Sequence, residues 1–513
     1  MKASSSGIKR NDNSYHSKDD VGSTYASRTM ECNRQIANLV KRKPKGYLEK
    51  ALKIFDGMDA TQRDTYTYTS IISAYASKGE AHKAENLLRE MQELSIRPNV
   101  VTYSSIINAW ARRSSRDAKA AQRAEEILWE LEHLSEKDSS LKPNVRCYTS
   151  VMDAWARNKS KKYSTKGAGR AYDILQHLKQ LSTKDPSLSP NAFSYSAVIN
   201  ALANSGEDRA VEKAECLLNE IESSYYNSTN LDDSMRPNTF CYSGVINAYA
   251  KRKSGPDPRK CEELLQHMLN VSKKYDNPDA IPNAYSYSAI LLAWSKSKLP
   301  GSASRIENIL KHMEKLASVS NNKNLIPNII CYNILIDTYA NNKLDQTAAK
   351  KAEATLINVL ERGKTSAIKP TVRTFNGVLL AYSNLAMREG GVYAIEASHK
   401  AERLLQYFEI ESNKSQNNFD LQPDIFSYNS VLNTLSKASS RDPLAARRAE
   451  EILFHMMNNS SRYCKPNSKS FGAVMNALAQ SRENVRYLTF MKNREVYRLR
   501  IVFSLSRYLQ GRT

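Results

Sequence analysis

The sequence predicts an all-α fold, a solenoid of antiparallel helix pairs with lengthened loops. Nine times, a small residue and an aromatic ring are followed by Ser, Thr or Asn, an apolar stretch, [Lys/Arg]-Ala-Glu-x-[Ile/Leu]-Leu, and Pro with one polar residue. Self-similarity at this period marks a stacked array, in which each unit buries its apolar face against its neighbours. Within units the apolar residues recur at helical spacing, and no strand pattern competes. The closing Pro cannot continue a helix, and the polar residue after it caps the next one by accepting from its first free N–H groups.

The elements follow in order. Residues 1–30 are Ser-rich and polar and are expected to be a disordered tail. Residues 31–64 hold a degenerate unit whose second helix carries Lys50-Ala51-Leu52-Lys53-Ile54-Phe55, expected to cap the array. Nine helical hairpins follow, at 65–99, 100–144, 145–191, 192–238, 239–283, 284–328, 329–371, 372–424 and 425–467. In the fourth, Tyr195, Val198, Ile199 and Leu202 share one face of the first helix, and Ala214, Leu217, Leu218 and Ile221 one face of the second. Residues 468–513 are expected to hold one more first helix, Phe471 to Ala479, and a basic, aromatic tail that breaks the repeat.

The run Val100-Val101-Thr102-Tyr103-Ser104-Ser105-Ile106-Ile107, a second helix with Ala-Glu and a terminal Pro-Asn resemble the pentatricopeptide repeat. The resemblance covers residues 65–467 and implies an α-α superhelix. It departs in length. Only the first repeat, at 35 residues, is as short as the family's usual unit, and the others run from 43 to 53. The extra residues sit in the turn between helices, as at Arg112–Asp117, or after the second helix, as at Tyr225–Asn230. Such surface insertions are tolerated because loop closure grows costlier only slowly with length.

With 75 Lys and Arg against 53 Asp and Glu, the chain carries a formal charge of +22, which favours a polyanionic partner. No stretch has the length and hydrophobicity to span a bilayer, so nucleic acid is the expected partner rather than a membrane. The seven cysteines include no CxxC. Cys147, Cys241 and Cys331 lie just before the repeat's Tyr, where other units have Ser or Thr, and read as small packed residues. His177, His267, His312 and His455 share a register in second helices and read as a solvated edge, and the signature Glu reads as a solvated face. Gly363-Lys364-Thr365 lacks the strand and the earlier glycine of a phosphate loop. No metal site, cofactor or catalytic constellation is expected, and the chain reads as a non-enzyme.

Helix geometry separates two faces. Tyr103, Ile107 and Trp110 form the core stripe of one first helix, whereas Val101, Ser104, Asn108 and Arg112 share a polar side that recurs along the array. Bases need flat or apolar walls, and Tyr66, Val101, Arg146, Phe193, Phe240, Tyr285, Ile330, Arg373 and Phe426, each two residues past a closing residue or its equivalent, supply them. Arg112, Arg157, Lys251, Lys296 and Lys437, on the same face, are placed to neutralise phosphates.

The resemblance implies single-stranded RNA as partner, read one nucleotide per repeat by the residue after the ring and the closing residue. By the family's pairing, Thr69 with Asn99, Ser104 with Asn144, Thr149 with Asn191, Ser196 with Asn238, Ser243 with Asn283 and Ser288 with Asn328 look like adenine readers. A short hydroxyl leaves room for a purine, while the Asn amide accepts from N6–H and donates to N1. Asn333 with Thr371 resembles a loose pyrimidine reader, Asn376 with Asp424 a uracil reader and Asn429 with Asn467 a cytosine reader. The implied site is near 5′-AAAAAA-pyrimidine-U-C-3′. The family resemblance further implies organellar RNA processing, stability, splicing or translation in a mitochondrion or plastid. The first 30 residues, with Asp12, Asp19 and Asp20, match an acid-poor transit peptide poorly. A monomer that recruits processing factors is expected. The alternatives are a protein-binding helical scaffold, or the RNA-targeting part of a processing nuclease whose catalytic domain lies outside this sequence.

Overall fold

The structure, a computed structural model, describes residues 18–481 apart from 159, 161–163, 229–231, 321, 343–344, 364–367, 415–420 and 459–463. The described residues are helices joined by loops and single 3-10 turns, with no strand among them. Lys364 and Thr365 and the tail from Arg482 lie outside the described residues.

Two compact units divide the chain. The N-terminal unit, residues 1–254 with 278–280, holds α1 (Lys18–Arg42), α2 (Tyr47–Asp56), α3 (Thr65–Lys78), α4 (Ala81–Glu93), α5 (Val100–Arg113), α6 (Ala120–Lys137), α7 (Val145–Arg157), α8 (Ser164–Ser182), α9 (Ala192–Ser205), α10 (Asp208–Tyr226) and α11 (Thr239–Ala250). The C-terminal unit, residues 255–277 and 281–513, holds α12 (Pro258–Lys274), α13 (Ala284–Ser297), α14 (Ser302–Ser320), α15 (Ile329–Asn341), α16 (Ala348–Gly363), α17 (Val372–Glu389), α18 (Gly391–Lys414), α19 (Ile425–Ala438), α20 (Pro443–Asn458) and α21 (Ser468–Gln480). Within each unit the odd-numbered helices pack side by side, α3 on α5 on α7 on α9 and α13 on α15 on α17 on α19. Even-numbered helices cover the seams, as α8 does by packing on both α7 and α9. Each unit is therefore a stack of helical hairpins of the solenoid class.

One expectation fails at the N-terminus. Residues 18–30 are expected in a disordered tail, yet α1 already runs from Lys18. Ser and Gly depress local helix propensity, but tertiary packing overrides it: Ile36 of α1 is fully buried, and α1 packs on α2 and α3.

The cores repeat. The ring after the small residue is buried in every hairpin, among them Tyr68, Tyr148, Tyr242, Tyr287, Phe375 and Tyr428. Most of these hydroxyls reach a carboxylate on an even-numbered helix, such as Tyr68 to Glu90 at 2.8 Å and Tyr332 to Glu314 at 2.8 Å. Adjacent first helices approach closely at two glycines. A Cβ on Gly244 would sit 2.6 Å from Ile199 Cγ2, and one on Gly377 2.6 Å from Ile336 Cγ2.

The signature Glu is not the solvated face the sequence suggests. Glu85 and Glu125 are buried, accepting from Trp110 Nε1 at 3.0 Å and Trp155 Nε1 at 2.8 Å. Each also meets a cation from the following second helix, Arg123 at 3.0 Å from Glu85 and Arg170 beside Glu125. Glu262 repeats the arrangement with Trp294 at 2.7 Å and Arg305 at 2.5 Å. Burial alone would raise the Glu85 pKa, but the hydrogen bond and charge of Arg123, with Trp110, hold it below the ordinary carboxylate value. A charge between apolar residues reads as exposed unless the ring of the adjacent helix is known to deliver a donor.

Candidate nucleic-acid interface

The nine expected closing residues are the N-caps of the first helices. Asn99 Oδ1 accepts from Thr102 N at 3.0 Å, Asn191 from Ser194 N at 3.0 Å, and Asn144 from Cys147 N at 3.2 Å. Asn238, Asn283 and Asn328 cap α11, α13 and α15 through Phe240, Tyr285 and Ile330 N at 3.0, 2.9 and 3.0 Å. Asp424 and Asn467 do the same for α19 and α21, and Thr371 N donates to Thr374 Oγ1 at 2.9 Å. In each Asn the cap engages Oδ1 and leaves the Nδ2 donors without a partner among the described residues, with the amide orientation assigned from this network.

Eight of the nine residues expected to read with them fall into three sets, and Ser243 stands apart. Asn333 reaches Thr371 Oγ1 at 3.4 Å, Asn376 reaches Asp424 at 3.1 Å, and Asn429 reaches Asn467 at 3.4 Å, so these pairs touch directly. Thr69 and Thr149 meet Asn99 and Asn191 through a shared hydroxyl. Thr102 Oγ1 lies 2.7 Å from Thr69 and 3.1 Å from Asn99 Oδ1, and Ser194 Oγ lies 2.8 Å from Thr149 and 3.2 Å from Asn191 Oδ1. In the third set, Ser104, Ser196 and Ser288 donate instead to their own helices, to Val101, Phe193 and Tyr285 O at 3.0, 2.9 and 2.8 Å. Their next-repeat neighbours are Cys147, Cys241 and Cys331, which offer no hydroxyl bridge. Ser243 is buried on α11 in the N-terminal unit, and Asn283 caps α13 in the C-terminal unit.

The residue just before the ring reads from sequence only as packing. It is a bridge where it is Thr102, Ser194, Ser427 or Ser470: Ser427 Oγ donates to Asn376 Oδ1 at 2.6 Å, and Ser470 Oγ to Asn429 Oδ1 at 2.6 Å. The Ser/Thr/Cys alternation at that position was the available signal. The cysteines are fully buried, and burial pushes the Cys241 thiol up to about 12 and Cys331 to about 11, so they stay protonated packing groups.

Tyr66, Val101, Phe193, Phe240, Tyr285, Ile330 and Phe426 are 45 to 62% exposed, a high value for such side chains, and flank the polar positions. Arg146 is exposed as well. Arg373 is pinned by Asp337 at 2.6 Å. Of the expected phosphate contacts, Arg112, Lys296 and Lys437 are exposed, with Arg112 3.4 Å from Ser77 O, while Lys251 reaches Asn204 Oδ1 at 3.0 Å. Arg157 is paired with Asp153 at 2.6 Å. The acidic partners Asp153 and Asp337 were not anticipated. On the N-terminal unit a cavity of about 620 Å³ gathers Arg146, Thr149, Asn191, Phe193, Ser196 and Phe240.

Two family models match the chain, the PPR repeat family over residues 63–112 and the pentatricopeptide repeat domain over 315–384. Pentatricopeptide repeats are thus recognised in these two stretches of the chain. The chain is 38% identical over 72 residues to a chloroplastic pentatricopeptide repeat-containing protein of Arabidopsis thaliana, a match covering 14% of this chain and 9% of that one. It is 33% identical over 67 residues to a mitochondrial one from the same plant, covering 13% and 14%. The matched stretches are thus a small part of these relatives. Among solved structures it is similar to the maize pentatricopeptide repeat protein PPR10, at 16% identity and a TM-score of 0.39, covering 90% of this chain and 68% of that one.

Of the four histidines expected on a solvated edge, His267, His312 and His455 are exposed and His177 departs from it. His177 Nε2 is 2.8 Å from Glu132 Oε1 and half-buried beside Trp129, so it joins a carboxylate seam, while His455 stays exposed with Glu409 3.5 Å away. Among the described residues no cluster of His, Cys, Asp and Glu is arranged to hold a metal, and no helix is long and apolar enough to cross a membrane.

Proposed function

We propose that this protein binds single-stranded RNA sequence-selectively, one nucleotide per repeat, with its nine polar pairs reading base edges between the exposed walls. The observation that carries this reading is that in five repeats the residue after the ring meets the N-cap of the next repeat, directly in three and through a bridging hydroxyl in two.

The hydrogen-bond polarity supports adenine at the hydroxyl-plus-Asn repeats, by a different division of labour from that expected. With the Ser104, Ser196 and Ser288 protons given to helix carbonyls, each oxygen is an acceptor. With Oδ1 bound to the cap, each Asn offers a donor. Adenine presents the complement, an N6–H donor and the N1 acceptor, whereas guanine reverses both. At Asp424, Oδ1 holds the cap and the Asn376 amide, and Oδ2 remains to accept from uracil N3–H. Asn333 Oδ1 is buried without a partner, an acceptor suited to a pyrimidine N–H. The exposed cations, with the charge of +22, would neutralise phosphates, so affinity falls with salt.

Organellar RNA processing, stability, splicing or translation is the setting we favour, since relatives are named chloroplastic or mitochondrial. We propose no catalysis and a monomer that recruits processing factors. Gel-shift competition between 5′-AAAAAA-pyrimidine-U-C-3′ and the same composition reversed tests the reading. The matched strand is expected to win, and indifference to order would refute it.

A further inference from the structure

The hairpin before the first regular repeat carries the same polar constellation. Asn33 on α1 donates Nδ2 to both oxygens of Asp64, each at 3.2 Å, and its Oδ1 accepts from Thr67 Oγ1 at 2.6 Å. Asp64 is the N-cap of α3, accepting from Thr67 N at 2.8 Å. Asn376, Asp424 and Ser427 form the same triangle at 3.1 and 2.6 Å.

Three further positions agree in register, although Cys32 stands where the other repeats have their buried ring. Counting back from Asp64 as a closing residue, Met30 stands where Arg373 and Phe426 stand, three residues before the Asn, and is 73% exposed. Lys41, exposed, stands where Arg112 and Lys437 stand, and buried Ile36 takes the place of Ile107. The helix start differs. In the other hairpins the first helix opens four residues before its polar reader, so that side chain has a possible role in starting the helix. Here α1 opens fifteen residues before Asn33, and no helix start requires an amide there. An Asn in a helix interior is unfavourable unless its groups are used.

We infer that Met30, Asn33 and Asp64 form a tenth base site, selective for uracil, immediately 5′ of the adenine tract, with Lys41 at its phosphate. The inference rests on the one-nucleotide-per-repeat reading. Asp64 accepts from the uracil N3–H, Met30 supplies the apolar wall, and Asn33 holds the carboxylate in place.

The test uses the full chain and four ten-nucleotide RNAs, N-AAAAAA-pyrimidine-U-C, with N as U, A, C or G. The U-leading RNA is expected to bind about tenfold more tightly than the A-leading one, in line with single-base contributions elsewhere. Asn33→Ser with Asp64→Asn, which keeps a capping side chain, is expected to invert that order while the nine-nucleotide core binds as before. Equal affinity for all four leading bases, with the core still order-dependent, would make the hairpin a cap and overturn the inference. If the core itself shows no order dependence, the underlying reading fails and the tenth site with it.

Discussion

Rebuilding the seam after the fourth repeat as a copy of the Asn376, Asp424 and Ser427 seam should change its base from adenine to uracil, and the third substitution should matter as much as the first two. Ser196→Asn with Asn238→Asp supplies the reading pair, but residue 241 is then still Cys, a weak donor whose Sγ lies 3.6 Å from Ala192 O. At the natural seam the Ser427 hydroxyl holds the Asn376 amide at 2.6 Å. Without that bond the new amide presents N or O at will and loses rotamer freedom on binding, about 0.5–1.5 kcal/mol. Each base is worth about 1–3 kcal/mol, roughly 5–150-fold. The double variant should therefore lose its adenine preference, and adding Cys241→Ser should raise uracil preference a further fivefold or so, near 1 kcal/mol. The new buried hydroxyl finds both its partners in the amide and the carboxylate introduced at positions 196 and 238. The assay is competition titration with oligonucleotides differing only at the fourth adenine. A triple variant no more uracil-selective than the double would refute the bridging role, and adenine preference retained in both would refute the seam as the reader.

Two further outcomes follow from the packing. Glu85→Gln keeps the volume but removes the charge facing Arg123 and Trp110, and should lower stability by about 2 kcal/mol at neutral pH. The Glu85 pKa is held below its ordinary 4.5, so this contribution is present above 4.5 and fades as pH falls through the folded-state value; urea midpoints whose gap from wild type stays constant into acid would contradict it. Tyr332→Phe should lower the urea midpoint, because its hydroxyl links Glu314 and Arg362 at 2.8 Å each, whereas Tyr287→Phe should be neutral or stabilising, because its buried hydroxyl has no partner; equal losses would show that the ring environment rather than the hydroxyl decides.

The helices and their seams were legible because two periodicities coincide: apolar spacing marks Tyr195, Val198, Ile199 and Leu202, and Pro-Asn marks each cap. What stayed hidden depends on contacts between repeats. Glu85 differs from a solvated Glu in the Trp110 ring and the Arg123 guanidinium delivered from the next repeat, 25 and 38 residues along the chain and in no local pattern. Thr102 looks like a packing residue until Thr69 is placed 2.7 Å from it. The α1 start escaped because serine and glycine argue against a helix locally, and burial of Ile36 outweighs them.

On the proposed RNA-binding reading, the closing residue must do two things, and the overlap limits its alphabet. It caps the next helix, for which Asn, Asp, Ser and Thr are the effective side chains. It also presents its remaining atom outward: Nδ2 where Asn is the cap, Oδ2 where Asp is. Exchanging Asn for Asp therefore reverses a donor into an acceptor while the cap at Oδ1 persists, and the negative charge sits favourably at a helix N-terminus. If the seams read bases as proposed, base preference at one seam is thus separable from the stability of the stack. That separability would allow a chain whose ring, glycine and carboxylate positions are fixed by packing to carry Asn, Thr and Asp at the same closing register.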